Sequence, residues 1–149
     1  MDKKISTPTY TPVQTMITTV LGTGLAIVAA FALFKIFSSK KRDVAVSVFL
    51  MKDCKYCDMA KPTIEVIDKH IPLQKYTYEP SQPNSYVNEL MDQYEVDRVP
   101  VFIAEIIDDS GNHNYEKYYI QDYYSPEKEV ENFGKWLKEY LLKASGQHN

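Results

Sequence analysis

The sequence has few of the residues that build metal and phosphate sites. Its 149 residues include two cysteines, three histidines and five glycines. The histidines, His70, His113 and His148, show no paired spacing, and a structural zinc site needs four ligands. A glycine-rich phosphate loop, a paired-histidine motif and a serine elbow are all missing. We therefore predict no metal site; zinc held by both cysteines and two histidines is the less favoured alternative.

The charge balance excludes another class of partner. The chain carries 17 basic and 20 acidic residues, for a formal net charge of −3. Its one short basic cluster lies in Ser38–Arg42. Nucleic-acid-binding domains usually present a basic patch on one face, so we predict no nucleic-acid partner.

The two cysteines stand three positions apart, in Cys54-Lys55-Tyr56-Cys57. An apolar, β-branched run, Val44–Leu50, precedes them and predicts a buried strand. Downstream, apolar residues recur on one helical face, at Ala60, Ile64 and Ile67. The pair therefore lies at a strand-to-helix junction. Two thiols at this spacing can close a small disulfide and reopen it without a large backbone movement.

The helix N-terminus predicts different roles for the two thiols. Unpaired N–H groups and the positive end of the macrodipole should stabilise the Cys54 thiolate and lower its pKa. Lys52 and Lys55 act in the same direction, whereas two flanking aspartates oppose them. Because the thiolate is the attacking species in disulfide exchange, Cys54 is the candidate nucleophile. Cys57, one turn deeper, is the candidate resolving thiol.

Two prolines extend this pattern. Pro62 follows Cys57 by five residues, and the block Tyr94–Pro100 (YEVDRVP) precedes a second apolar run, Val101–Ile107. Thioredoxins carry a Cys-X-X-Cys with a proline five residues later, and a Tyr-x-[Ile/Val]-x-x-[Ile/Val]-Pro block. Residues 43–144 therefore resemble the thioredoxin-like superfamily, as a divergent member whose tyrosine before the second cysteine is similar to glutaredoxins.

This resemblance implies an activity and a set of site residues. Cys54 and Cys57 would form a redox-active disulfide that exchanges with protein thiols and disulfides, without another cofactor. Pro100 would be a cis proline facing the disulfide, and the backbone of Val99 would bind an extended substrate segment. Lys55 and Tyr56 would contact the same substrate. The implied protein is a thiol–disulfide oxidoreductase.

Four positions depart from the thioredoxin pattern. Asp53 stands where thioredoxins have a tryptophan, and Lys55-Tyr56 replaces Gly-Pro. Val48 replaces the buried aspartate that accepts a proton from the second cysteine. We therefore expect a narrow range of partners. The alternative is a non-enzymatic thioredoxin-fold interaction module, tethered to a membrane, whose cysteines are inert or structural.

The periodicity of the rest of the chain predicts an α/β fold in the order β-α-β-α-β-β-α. Strand–helix alternation favours a parallel first pair of strands, and a hairpin favours an antiparallel last pair. We expect a thioredoxin-like fold with a mixed four-stranded sheet and flanking helices. After the cysteine helix, the predicted elements are a strand at Gln74–Tyr78, a helix at Asn84–Val96, strands at Val101–Ile107 and Tyr115–Ile120, and a helix from Pro126 to about Lys143.

The N-terminal part contains an uncharged run, Met16–Phe34. Its length and its apolarity on all sides predict a single transmembrane helix over residues 16–37. A cleaved signal peptide is the alternative, because Ala30-Phe31-Ala32 is similar to a cleavage site. The predicted division is a tail at 1–15, the span at 16–37, a basic linker at 38–42, the domain at 43–144 and a tail at 145–149.

The flanking charges and small residues give two further predictions. More lysine and arginine residues follow the span than precede it, so the C-terminal domain should face the cytosol. An organelle membrane and a viral envelope both remain open. Gly22, Ala26 and Ala30 form a small-residue stripe that would pair two spans in a homodimer, although small residues are common in any span.

Overall fold

The computed structural model describes residues 26–40, 42–83 and 85–146, apart from the side chain of Ser85. A helix covers residues 26–39, which we name α1. It is followed by β1 (Asp43–Met51), α2 (Lys55–His70), β2 (Leu73–Tyr78), α3 (Ser85–Gln93), β3 (Val101–Ile107), β4 (His113–Tyr119) and α4 (Pro126–Ala144). From β1 onward this is the predicted element order.

The four strands form one mixed sheet in the order β2-β1-β3-β4. β1 and β2 are parallel, and α2 supplies the crossover that a parallel pair requires. β1 pairs antiparallel with β3, and β3 pairs antiparallel with β4. The predicted mixed four-stranded sheet with flanking helices is therefore confirmed.

β3 lies between two cores. Phe102, Ala104 and Ile106 face the main core, which β3 shares with α1, α2 and α4. Val101 and Ile103 face a smaller core on the α3 side of the sheet. A strand that is covered on both faces is apolar at consecutive positions, and this is the pattern by which β3 was predicted.

α3 ends three residues earlier than the sequence predicts. The Val96 N–H donates to the Met91 carbonyl at 2.8 Å, and the Glu95 N–H donates to the Asp92 carbonyl at 3.1 Å. Glu95 itself has a φ of 51°. These contacts form a Schellman motif, which usually places glycine at the left-handed position. Because a glutamate occupies this position here, the sequence does not indicate that the helix ends at Gln93.

α1 packs against the main core. Ile27, Ala30, Phe34 and Phe37 are buried in that core, at a spacing that places them on one helical face. On α4, a Cβ at Gly134 would lie 2.7 Å from the carbonyl carbon of Ala26. Only a glycine allows this approach, so the core extends upstream of the predicted domain boundary at residue 43.

The predicted transmembrane helix is only partly described. Residues 16–25, including Gly22 of the small-residue stripe, lie outside the described residues. Within the described ranges, no helix has the length and apolarity needed to cross a membrane. Ala30 of the stripe is fully buried in the core of its own chain.

Candidate redox site

Cys54 occupies the N-cap of α2. Its backbone is extended, with φ −104° and ψ 113°, and its Sγ accepts a hydrogen bond from the Cys57 N–H at 3.2 Å. Its carbonyl accepts from the Asp58 N–H at 3.0 Å, which is the first bond of the helix. The sulfur therefore stands where a serine or aspartate oxygen usually caps a helix. It also lies at the positive end of the helix dipole.

The two predicted cysteines are joined to each other. Cys54 and Cys57 form a disulfide with their Cα atoms 5.2 Å apart. Cys54 is 8% exposed and Cys57 is 4% exposed, so both sulfurs lie at the edge of the protein interior. The spacing read from the sequence thus gives a disulfide inside the first turn of α2.

A tight turn between β1 and α2 places Cys54 at the start of the helix. The Lys52 N–H donates to the Tyr78 carbonyl at 2.9 Å, which continues the pairing of β1 with β2 to the end of the strand. Asp53 then adopts a φ of 58°, a left-handed conformation that aspartate tolerates better than most residues. The chain reverses here, and Cys54 begins the helix immediately afterwards.

The two lysines near the cysteines differ in their contacts. Lys52 Nζ lies 2.8 Å from Glu79 Oε1, and this hydrogen bond raises the pKa of Lys52. Its charge is therefore largely balanced by a carboxylate, contrary to the expectation that it favours the thiolate of Cys54. Lys55 is exposed in the first turn of α2. Asp58, one of the opposing aspartates, is 2.8 Å from Lys61.

The predicted cis proline is confirmed: the peptide bond between Val99 and Pro100 is cis. Pro100 is buried and Val99 is half-buried. Val101 pairs with Phe49, so Pro100 comes next to the carboxyl end of β1, the end from which the chain enters Cys54. The sheet register therefore brings the proline and the cysteines to the same end of the two central strands.

Tyr56, between the cysteines, contacts a residue that sequence reasoning did not single out. Tyr56 is 55% exposed, and its ring centroid lies 5.1 Å from that of Tyr123 at an interplanar angle of 51°. Tyr123 follows β4, far along the chain. No local motif relates the two positions, because the fold alone joins them.

Glu129 fixes the segment that carries Tyr123. This glutamate is fully buried in α4. Its carboxylate accepts hydrogen bonds from the Gln121 N–H at 3.0 Å, the Asp122 N–H at 2.9 Å and the Tyr118 hydroxyl at 2.5 Å. Burial, and then this last bond, raise the pKa of Tyr118. The only sequence signal was an acid beside the apolar face of α4.

Arg98 is a second residue that the sequence left unassigned. Its guanidinium carbon lies 4.1 Å from the ring centroid of Tyr119. Tyr119 in turn donates a hydrogen bond to Asp97 Oδ1 at 2.7 Å, which lowers the pKa of Asp97. The exposed Arg98 directly precedes Val99 and Pro100, so it places a cation beside the redox site.

Val48 is fully buried in the main core. The position that holds an acid in thioredoxins is therefore apolar here and cannot accept a proton. Among the described residues, the buried carboxylates are Glu105 and Glu129. Glu105 accepts from the Tyr94 hydroxyl at 2.9 Å and lies 2.7 Å from His113 Nδ1.

The described ranges contain no group of three or more histidine, cysteine and acidic residues placed to hold a metal ion. His148 lies outside them. Because Cys54 and Cys57 are bonded to each other in this structure, their sulfurs are not free to act as thiolate ligands.

Comparisons with known proteins find a similarity of structure. No protein-family model matches the sequence, and no curated protein matches it. A solution structure of a thioredoxin from Thermus thermophilus is similar over 78% of this chain and 86% of that chain, with 18% identity and a TM-score of 0.47. The strand order, the disulfide at the start of α2 and the cis proline before β3 together define a divergent thioredoxin-like fold.

Proposed function

We propose that the protein is a thiol–disulfide oxidoreductase that exchanges disulfides with protein substrates. Cys54 acts as the nucleophile and Cys57 as the resolving thiol. The observation that carries this proposal is the position of the Cys54 sulfur. It caps α2, it accepts the Cys57 N–H, and it is bonded to a second cysteine one turn along the same helix.

The helix end supports ionisation of Cys54 after reduction. The N–H group that donates to the sulfur in the disulfide form can donate to a thiolate in the same place. The helix dipole favours negative charge there. Lys55 adds a nearby positive charge, whereas Lys52 contributes less because Glu79 pairs with it.

In the reducing direction, the Cys54 thiolate attacks one sulfur of a substrate disulfide. The substrate S–S bond breaks, and the released substrate thiolate takes up a proton. The Cys57 thiolate then attacks Cys54 Sγ in the mixed disulfide and releases the second substrate thiolate. The substrate gains two electrons, and the Cys54–Cys57 disulfide reforms. A dithiol protein or a small thiol must then reduce that disulfide; the reverse sequence oxidises a substrate dithiol.

The substrate segment is proposed to lie between the loop that follows β1 and the loop that precedes β3, at one end of the sheet. The backbone of Val99 would pair with an extended segment beside Pro100, and Lys55 and Tyr56 would contact its side chains. Support comes from exposure: Lys55 and Tyr56 are exposed, and Val99 is half-buried. In this arrangement the reacting sulfur would lie among these groups.

The experiment that tests the exchange function is a trap with full-length Cys57→Ser protein. Without the resolving thiol, the mixed disulfide between Cys54 and the substrate should persist. Adducts should appear on non-reducing gels, disappear with dithiothreitol and be identified by mass spectrometry. Cys54→Ser is the matched control and should form few adducts. If the two variants form equal amounts, exchange through Cys54 is wrong.

The buried Val48 favours a second candidate, the non-enzymatic interaction module, because a resolving thiol without a proton acceptor reacts slowly. Titration of the Cys54–Cys57 couple in glutathione buffers separates the two candidates. A couple that interconverts within the range of cellular thiol proteins, about −120 to −270 mV, supports exchange. A disulfide that resists reduction throughout this range supports the module.

A membrane location remains part of the proposal. It is supported by the uncharged run Met16–Phe34 and by the basic residues that follow it, which favour a cytosolic domain. Floating the full-length protein with lipid vesicles tests it, since an anchored chain stays with the lipid at alkaline pH. Packing of Phe34 in the protein core opposes a span that includes residue 34, because one side chain cannot face lipid and the core together.

A further inference from the structure

The loop between β4 and α4, residues 120–125, passes beside the disulfide. The ring of Tyr123 lies 5.1 Å from the ring of Tyr56, which is between the two cysteines. Tyr124, the next residue, is 89% exposed, and Tyr56 is 55% exposed. Tyr56 and Tyr123, from two distant parts of the chain, therefore pack ring against ring at the cysteine motif.

The loop is held by a buried charge. Glu129 accepts two backbone N–H groups of the loop, from Gln121 and Asp122. The Tyr118 hydroxyl and the more distant Asn132 amide, at 3.5 Å, complete its contacts. A fully buried carboxylate is costly unless it is satisfied in this way. These bonds fix the backbone of the two residues that directly precede Tyr123.

We propose that Tyr56 and Tyr123 form a docking surface for an aromatic side chain next to the reacting cysteine of the substrate, and that Glu129 is the positioning residue for this surface. The inference rests on the proposed exchange function and names its substrate class: extended protein segments with an aromatic residue beside the cysteine.

The geometry favours an aromatic occupant. Aromatic rings attract one another at centroid distances of about 4.5–7 Å in tilted arrangements, and the observed pair already has this form. A third ring can add to the exposed side of Tyr56 in the same way. Because the loop is already fixed, docking orders few further groups, which lowers the entropic cost of binding.

The charges around the surface do not compete with this role. Burial, and then the Glu129 carboxylate, raise the pKa of Tyr123, while Arg98 lowers it. The net direction is upward, so the Tyr123 phenol stays neutral at physiological pH. Arg98 and the exposed Lys55 are cations near this surface, and Asp122 lies in the loop, so a substrate recognised by its charge is the alternative that the experiment must separate.

The test compares two disulfide peptides that are identical except for tryptophan or serine beside the cysteine, each joined to a chromogenic aryl thiol. Reduced full-length protein should release the coloured thiol from the tryptophan peptide about 3- to 10-fold faster. Tyr123→Ser should bring this ratio close to one, and Tyr123→Phe should keep it. Tyr86→Ser is the matched control, since Tyr86 is 57% exposed but lies on α3.

Glu129→Gln tests the positioning role, because an amide presents its own donors to part of the loop. The tryptophan-to-serine ratio should fall as it does in Tyr123→Ser. If this variant does not fold, Tyr118→Phe, which removes one donor from Glu129, replaces it and should lower the ratio less.

The outcomes distinguish a failure of the proposed aromatic surface from a failure of the proposed exchange function. Equal rates for both peptides with wild-type protein overturn the aromatic surface while exchange stands. A ratio that is unchanged in Tyr123→Ser overturns it as well. A third peptide with aspartate in place of the tryptophan tests recognition by charge, and faster release from it than from the tryptophan peptide also overturns the aromatic surface. Wild-type protein that reacts with neither peptide contradicts the exchange function itself.

Discussion

At the scale of single residues, the site combines parts that the sequence displays with parts that only the fold assembles. The cysteine pair and Pro100 were identified from their spacing, because each belongs to a short local motif. Tyr123 and Glu129 were not, since their contacts join segments far apart in the chain. A buried glutamate beside an apolar helix face has the same local pattern as a solvated one.

The Cys54 thiol should react faster than an ordinary thiol. In reduced Cys57→Ser protein at neutral pH, we expect carboxamidomethylation by iodoacetamide to be roughly 5- to 10-fold faster than for a flexible peptide cysteine, because the helix end stabilises the thiolate. The matched control is the same variant in urea, where the helix end is lost. Equal rates in the folded and unfolded states would contradict an activated sulfur.

Removing the Tyr118 hydroxyl should destabilise the protein. Tyr118→Phe leaves the buried Glu129 without one of its donors, at a cost of about 1–3 kcal/mol. The free energy of unfolding from urea titration measures this. Tyr115→Phe is the control: Tyr115 packs its ring on Tyr94, and its hydroxyl makes no hydrogen bond with the described residues. Equal losses in both variants would show that Glu129 does not depend on this bond.

At the scale of elements, the ends of helices carry much of the organisation. α2 begins on a sulfur, α3 ends on a glutamate in a left-handed conformation, and α2 is tied to β2 through Asp68. The Asp68 carboxylate accepts the Leu73 N–H at 3.0 Å and lies 2.5 Å from Lys75 Nζ. The bond with Lys75, and then the one with Leu73, lower the pKa of Asp68.

This contact should make stability depend on pH in one direction. A carboxyl whose pKa is lowered on folding stabilises the protein above its unfolded value of 3.8 and loses that contribution as the pH falls through its folded value. Asp68→Asn should therefore lower the free energy of unfolding at neutral pH by about 0.5–1 kcal/mol, and the difference, measured by urea titration, should shrink in acid. Asp92→Asn, at an exposed position of α3, is the control. A difference that grows in acid would reverse the assigned sign.

The approach of α1 to α4 should reverse the usual effect of a helix glycine. In an open helix, glycine to alanine stabilises by roughly 0.5–1 kcal/mol. At Gly134 the new Cβ would lie 2.7 Å from the Ala26 carbonyl carbon and 2.9 Å from its oxygen, so we expect Gly134→Ala to destabilise the protein in urea titration. Lys138→Ala, exposed on the same helix, should be nearly neutral. A stabilised Gly134→Ala protein would mean that α1 does not pack there.

At the scale of the whole molecule, the order of strands and helices along the chain after residue 43 could be predicted, because period-two and period-3.6 patterns are local. The place of α1 could not. Ala30 and Phe34 belong to a run that is apolar on all sides, and such a run suits lipid and a protein core equally well. Only the packing partners, on α4 and the sheet, distinguish the two.

One pair of variants tests where α1 resides. Phe34→Asp places a charge in the main core and should unfold much of the molecule, whereas Val28→Asp, at a position that is 50% exposed, should be tolerated. Circular dichroism of the full-length chain follows the loss of structure. If the two variants behave alike, the buried face of α1 assigned here is wrong.

The sulfur of residue 54 has two roles, since it caps α2 and is the proposed nucleophile. In the disulfide this atom accepts the Cys57 N–H, and a thiolate in the same place can accept it too, so the start of α2 is kept in both redox states. Cys54→Ser keeps an oxygen in the capping position and should give an inactive but well-folded protein. Cys54→Ala loses both the reactive atom and the helix cap, so it should be inactive and less stable. Oxidation and reduction of this one atom should therefore leave the start of α2 in place, whereas alkylation, which removes the negative charge that the helix end favours, should weaken it.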